Sequence, residues 1–158
     1  MTLVHSMQRL LPALAAASLV GLGAAAPVAS AAGTRTLTVS TTADGAVTPT
    51  QLDACRRARR GCTLRAAIQA ASDDRSAATL IVVRIPAGTY RLLLGALELV
   101  SPRPGTTVRI AGAGSTRTTI DGGAGGRPMV PLDRALVLGG GRSEVVDLTI
   151  QHGDAPID

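Results

Sequence analysis

The stretch from Cys55 to Ala71, Cys-Arg-Arg-Ala-Arg-Arg-Gly-Cys-Thr-Leu-Arg-Ala-Ala-Ile-Gln-Ala-Ala, decides how this chain of 158 residues is read. In its second half Leu64, Ala67, Ile68 and Ala71 fall at i, i+3, i+4 and i+7, a single apolar helical stripe, and Thr63 stands at the N-cap position. Asp73 and Asp74 end the pattern in a loop. A helix of about ten residues does not persist without tertiary packing. The first half sets four arginines, Arg56, Arg57, Arg59 and Arg60, between the two cysteines of the chain. Two cysteines and two distant histidines make a poor zinc set, so neither a metal nor a cofactor is expected.

Upstream, Arg9 and the α-amino group precede an apolar run from Leu10 to Ala26, and Ala29 and Ala31 form an A-x-A cleavage site. Residues 1–31 therefore read as a secretory signal peptide, and residues 32–158 as one domain. The run is shorter than the ~20 residues of a spanning helix, and no later segment is apolar enough to replace it. The expected location is secreted, extracellular or on the cell surface, with no membrane contact after cleavage. Export places Cys55 and Cys62 in an oxidising environment, where an even pair bridges. Closing that short loop stabilises by about 2–3 kcal/mol, mainly by restricting the unfolded chain.

All sixteen basic residues are arginines, against eleven acids, for a formal charge of +5. Such a balance fits a polyanion partner, or the Ala, Gly and Arg richness of a GC-rich genome. The arginines are scattered, which favours the compositional reading, and no nucleic-acid partner is expected. Arg56, Arg57, Arg59 and Arg60 are the one knot able to contact a sulfated or phosphorylated polymer; a solvated loop is the plainer reading.

Downstream, the pattern turns to strands. Thr36 to Thr41, before the helix, alternates apolar and polar residues, and a turn-rich stretch from Ala43 to Pro49 follows it. Leu80 to Ile85 is rich in β-branched residues and stops at Pro86-Ala87-Gly88. Thr89–Leu94, Leu97–Val100, Val108–Ile110, Thr118–Ile120, Ala135–Leu138 and Val145–Ile150 read as further short strands. Ile110 to Ile120 spans ten residues, as does Leu138 to Leu148, and the second pair lies twenty-eight residues after the first. That spacing fits a β-solenoid, and equally an antiparallel β-sandwich.

Cys62-Thr63-Leu64-Arg65-Ala66-Ala67-Ile68 resembles the CSLREA motif of secreted right-handed parallel β-helix proteins, a pectate-lyase-like group. Ile85-Pro86-Ala87-Gly88-Thr89-Tyr90, Arg109 to Gly114, Thr119 to Gly123 and Asp147 to Ile150 resemble the same family in the same order. The resemblance implies an all-β fold: a right-handed parallel β-helix (solenoid) with a short N-terminal capping α-helix. Residues 32–158 would be the N-terminal cap and first coils of a truncated β-helix: the product of a truncated gene, a fragment, or a module that stacks on another chain. Cys62, Thr63, Leu64, Arg65, Ala67 and Ile68 would act structurally, with Arg65 reaching rim carbonyls or an acid. Ala66 departs from the family's acidic residue, losing the glutamate that would complete a capping box at N3. Residues 151–158 show no second cap, so further coils or another chain are expected at the C-terminal end.

Enzymes on such folds cluster acids on one sheet. The candidates here are Asp121, Asp133, Asp147 and Asp154, with Arg127 as a basic partner, but they are scattered at turns, where acids commonly serve the turn. The glycine-rich Asp121–Gly126 lacks the repeated acid of a calcium loop, and Ala111–Gly114 is followed by no helix that would make it a phosphate loop. His152 stands alone in sequence, and Tyr90 is the single aromatic, which argues against a sugar-stacking site. The expectation is a non-catalytic secreted or cell-surface module for adhesion or interaction with extracellular polysaccharide or a cell-surface component. The alternatives are the capped N-terminal part of a polysaccharide lyase or hydrolase, and arginine-mediated polyanion binding.

Overall fold

Thr48-Pro49-Thr50-Gln51 starts a helix inside the stretch that reads as turns. The Thr48 hydroxyl accepts from the Gln51 N–H, the Gln51 side chain accepts from the Thr48 N–H, and Pro49 holds the first helical position. This is helix α1 (Pro49–Arg56), and α2 (Leu64–Ser72) follows with Thr63 as its N-cap. The computed structural model describes residues 33–123 and 134–153. The signal-peptide reading of residues 1–31 lies outside them, as do Arg127, Asp133 and Asp154.

The apolar, β-branched runs form nine short strands among the described residues: β1 (Gly33–Thr38), β2 (Ala78–Arg84), β3 (Gly88–Arg91), β4 (Leu97–Val100), β5 (Thr107–Ala111), β6 (Thr118–Asp121), β7 (Leu136–Gly139), β8 (Arg142–Val146) and β9 (Thr149–Gln151). They make three sheets, in the orders β1-β2-β5-β8, β3-β6-β9 and β4-β7, and every pairing is parallel. From β2 onward the chain visits the three sheets in turn.

The expected all-β class, a right-handed parallel β-helix with one short capping helix, is corrected by these elements. The described residues form a mixed α and β arrangement of two helices and three short parallel sheets, with no evident solenoid. The spacing that favoured a repeat also fails. Ile110 lies in β5 and pairs with Val145, whereas Leu138 lies in β7 of another sheet and pairs with Leu99. The segment from Val145 to Ile150 is two strands, broken at Asp147, which takes a left-handed backbone (φ 56).

Register sets the core. Leu37, Val83, Ile110 and Val145 line up across one sheet, and Tyr90, Ile120 and Ile150 across another. Leu37, Val83 and Ile110 are fully buried, each contributing about 1.5–3 kcal/mol. Burial fades toward the last strands, where Val145 is half-buried and Ile150 is 42 % exposed. Helix α2 buries Leu64, Ala66, Ala67, Ile68, Ala70 and Ala71 and packs against β4, β1, β2 and α1. The buried face is wider than the four-residue stripe, because alanine fits close to strands on either side of it. Among the described residues, no helix is long and apolar enough to cross a membrane.

Candidate functional site

The arginine knot sits on a loop fixed from beneath. Cys55, at the end of α1, and Cys62, just before α2, are joined by a disulfide, and both are fully buried. Ser40 ties the loop from the side: its hydroxyl donates to the Arg59 carbonyl (3.3 Å) and accepts from the Cys62 N–H (3.0 Å). The Arg59 N–H donates to the Ala54 carbonyl, and Ala58 and Gly61 take the positive φ angles that let the chain reverse. Arg57 is engaged by Asp53 at 2.6 Å, which holds the guanidinium above its ordinary pKa. Arg56, Arg59 and Arg60 are exposed and form no ion pair among the described residues.

Arg65 has a different task. Its guanidinium donates twice to the Asp44 carboxylate (2.9 Å each), to the Ala96 carbonyl (2.9 Å) and to the Gly95 carbonyl (2.8 Å). Asp44 also accepts from the Gly45, Leu93 and Leu94 N–H groups. Burial by itself would raise the Asp44 pKa; the hydrogen bonds and charge of Arg65, with the Leu93 and Leu94 amides of the loop between β3 and β4, hold it below its ordinary value. Thr63 caps α2 through the Ala66 N–H, and Leu64, Ala67 and Ile68 lie in the core. These residues join elements and leave no free group for chemistry.

Asp121, at the end of β6, is paired with His152, just past β9: Nδ1 lies 2.9 Å from Oδ1. The histidine that stands alone in sequence is therefore a partner of one candidate acid. Two turns make the approach. Gly122 leaves space that a β-carbon would take from the His152 carbonyl oxygen, and His152 adopts φ 54. The hydrogen bond from His152, then the Gly123 N–H, lower the Asp121 pKa against the opposing effect of burial, with Gln151 adding a further bond. Arg91 stands 3.9 Å from the other carboxylate oxygen. The imidazole is half exposed, with Nε2 the ring nitrogen left to meet a solute. Asp147, the other candidate acid among the described residues, lies exposed at a different bend, where its carbonyl accepts from Gly114 N–H. The pair Asp121 and His152 could have been found from sequence only by knowing that β6 and β9 are neighbours.

Across the described surface, eleven arginines are exposed, against two acids, Glu98 and Asp147. The remaining described acids are buried or half-exposed, and five of them, Asp44, Asp53, Asp74, Asp121 and Glu144, contact a basic side chain. No group of three metal-ligating side chains occurs among the described residues. Two surface hollows of about 300 and 330 Å³ are lined by residues 33–35 with 76–78, and by residues 105–107 with Arg142. Neither contains His152 or the arginine loop. Tyr90 is buried and donates to the Pro86 carbonyl, so its ring offers no stacking face. No family model matches the chain, and neither a curated protein nor a solved structure matches it significantly.

Proposed function

We propose that this chain is an exported, non-catalytic interaction module that holds acidic extracellular polysaccharide through its exposed arginines. The observation that carries the reading is the imbalance of exposed charge: among the described residues eleven arginines are exposed against two acids, and the other described acids are buried or half-exposed. A guanidinium presents paired donors that match a carboxylate or sulfate, and it stays charged at every relevant pH. Arg56, Arg59 and Arg60 add a local concentration of charge on a loop tied by Ser40 and by the Cys55–Cys62 bridge, so little ordering is needed on binding. The signal-peptide pattern, the disulfide and the resemblance of Cys62–Ile68 to the CSLREA motif support export and an extracellular partner.

The test is a titration of the secreted chain with polygalacturonate, with heparin and with neutral dextran at rising salt. Binding to the two acidic polymers is expected at low salt and is lost at high salt. Replacing Arg56, Arg59 and Arg60 by alanine weakens it by roughly tenfold or more, since three contacts of about 0.5–1 kcal/mol are removed. Binding to dextran as strong as to polygalacturonate, or none to any polymer, overturns the reading.

A second reading, a lyase or hydrolase, is favoured by one observation, the Asp121–His152 pair beside Arg91. A carboxylate that orients a histidine leaves Nε2 able to take a proton. Unsaturated products released from polygalacturonate by the native chain, and absent with His152→Ala, would support it.

A further inference from the structure

Among the described residues, strands β7, β8 and β9 are each the last strand of their sheet. Apolar groups thin out there: Val146 is 36 % exposed, Ile150 42 % and Leu138 45 %. In β8 the backbone groups alternate in direction. The Val146 carbonyl accepts from the Gly112 N–H, on the β5 side. By the two-residue period of a strand, Arg142 and Glu144 also turn their backbone groups toward β5, and Ser143 and Val145 turn theirs off the edge.

Two further features mark this edge. The Ser143 hydroxyl is buried and has no hydrogen-bond partner, the single such side-chain atom among the described residues. Buried hydroxyls without a partner are uncommon and costly. Arg142 is exposed and without an ion pair among the described residues, while Glu144, two positions on, is held by Arg109 with part of its carboxylate open to solvent.

We propose that β8 is the interface for a second copy of this chain, paired antiparallel about a two-fold axis at Ser143. That register is fixed by the sequence Arg142-Ser143-Glu144. Ser143 of each copy exchanges both backbone hydrogen bonds with Ser143 of the other, using the groups that point off the edge. The two Ser143 side chains lie on the same face of the joined sheet, at the axis. Arg142 of each copy lies directly opposite Glu144 of the other, which makes two cross-strand ion pairs. Moving the axis by one residue either way, a register slip of two, sets Arg142 against Arg142 or Glu144 against Glu144. The match is therefore self-complementary at a single register. At the opposite edge of the same sheet, both helices pack against β1.

The experiment is sedimentation equilibrium of the secreted full chain from micromolar to submillimolar concentration. A monomer–dimer equilibrium is expected. Arg142→Glu sets like charges across the axis twice, so dimerisation weakens by at least roughly tenfold while the melting of dilute monomer is unchanged. Combining it with Glu144→Arg restores the dimer, a rescue that a merely structural role of either residue does not give. A native chain that stays monomeric over the whole range overturns the proposal. So does an Arg142→Glu chain that dimerises as the native one does, or a folded double variant that fails to recover.

Discussion

Asp44 and Arg65 stand twenty-one residues apart in sequence and meet in a doubly hydrogen-bonded pair, which also captures two backbone amides and two carbonyls from residues 93–96. Removing one charge strands the other among acceptors it no longer balances. Asp44→Asn is expected to cost about 3 kcal/mol in chemical denaturation, because it leaves a largely buried guanidinium without its counter-charge. The carboxylate also sets a pH dependence. Its folded pKa lies below the ordinary 3.8, so the stability it contributes is present above that value and is lost as pH falls through the folded pKa. Asp121, lowered in the same direction by His152, acts in the same acid window. Thermal melts of the native chain should therefore fall in midpoint below about pH 4, and those of Asp44→Asn should fall less steeply. A native midpoint unchanged across that range would sink the assignment. From sequence, Arg65 could be placed on the side of α2 away from the core stripe, but its acid could not be named. Asp44 sits in a stretch of turn residues, and only the path of the chain brings it round.

Among the elements, α2 was readable because Thr63 and the 3.6-residue period agree, whereas α1 was missed. Thr48-Pro49-Thr50-Gln51 carries a capping box, yet α1 lacks a strong apolar stripe: its buried residues are Ala54 and Cys55 alone. Thr48→Ala is expected to cost about 1 kcal/mol, measured by denaturant unfolding. Ala66 is more informative. By sequence it is a capping box lacking its glutamate, so Ala66→Glu reads as a stabilising change. In the fold Ala66 is fully buried within α2. Ala66→Glu should therefore destabilise, by about 2 kcal/mol or more, since the carboxylate enters the core or pushes the helix off it. A raised melting midpoint for that variant would contradict the packing of α2. The disulfide closes the connection between the two helices. Reduction should cost about 2–3 kcal/mol and should weaken acidic-polymer binding in step, because the loop that carries Arg56, Arg59 and Arg60 loses its tether.

At the scale of the molecule, stability should be graded along the stacking of strands. Most strands were legible one by one, since β-branched runs ending in glycine or proline state themselves; Val145–Ile150, read as one strand, is the end of β8 and the start of β9. Their neighbours were not. Ile110 and Leu138 look equivalent by spacing and belong to different sheets, because loops of unequal length separate the strands. Register assigns the fully buried side chains to β1, β2 and β5, and the half-buried ones to β8. Local opening follows the burial lost, so β9 and β8 should open at lower free energy than β2 and β5. Amide exchange followed by NMR is expected to rank protection at Val83 and Ile110 above that at Val146 and Gln151, whose backbone groups also face a neighbouring strand. Within β8 the amides should divide by direction. Glu144 and Val146, turned toward β5, are protected in dilute solution, and Ser143 and Val145 are not. Raising the protein concentration should then slow exchange at Ser143 in particular, as its amide finds the carbonyl of the second copy. Equal protection along β5, β8 and β9 would mean that the molecule opens as one unit. Concentration-independent exchange at Ser143 would mean that the edge stays bare, and both results can be read from the same set of spectra.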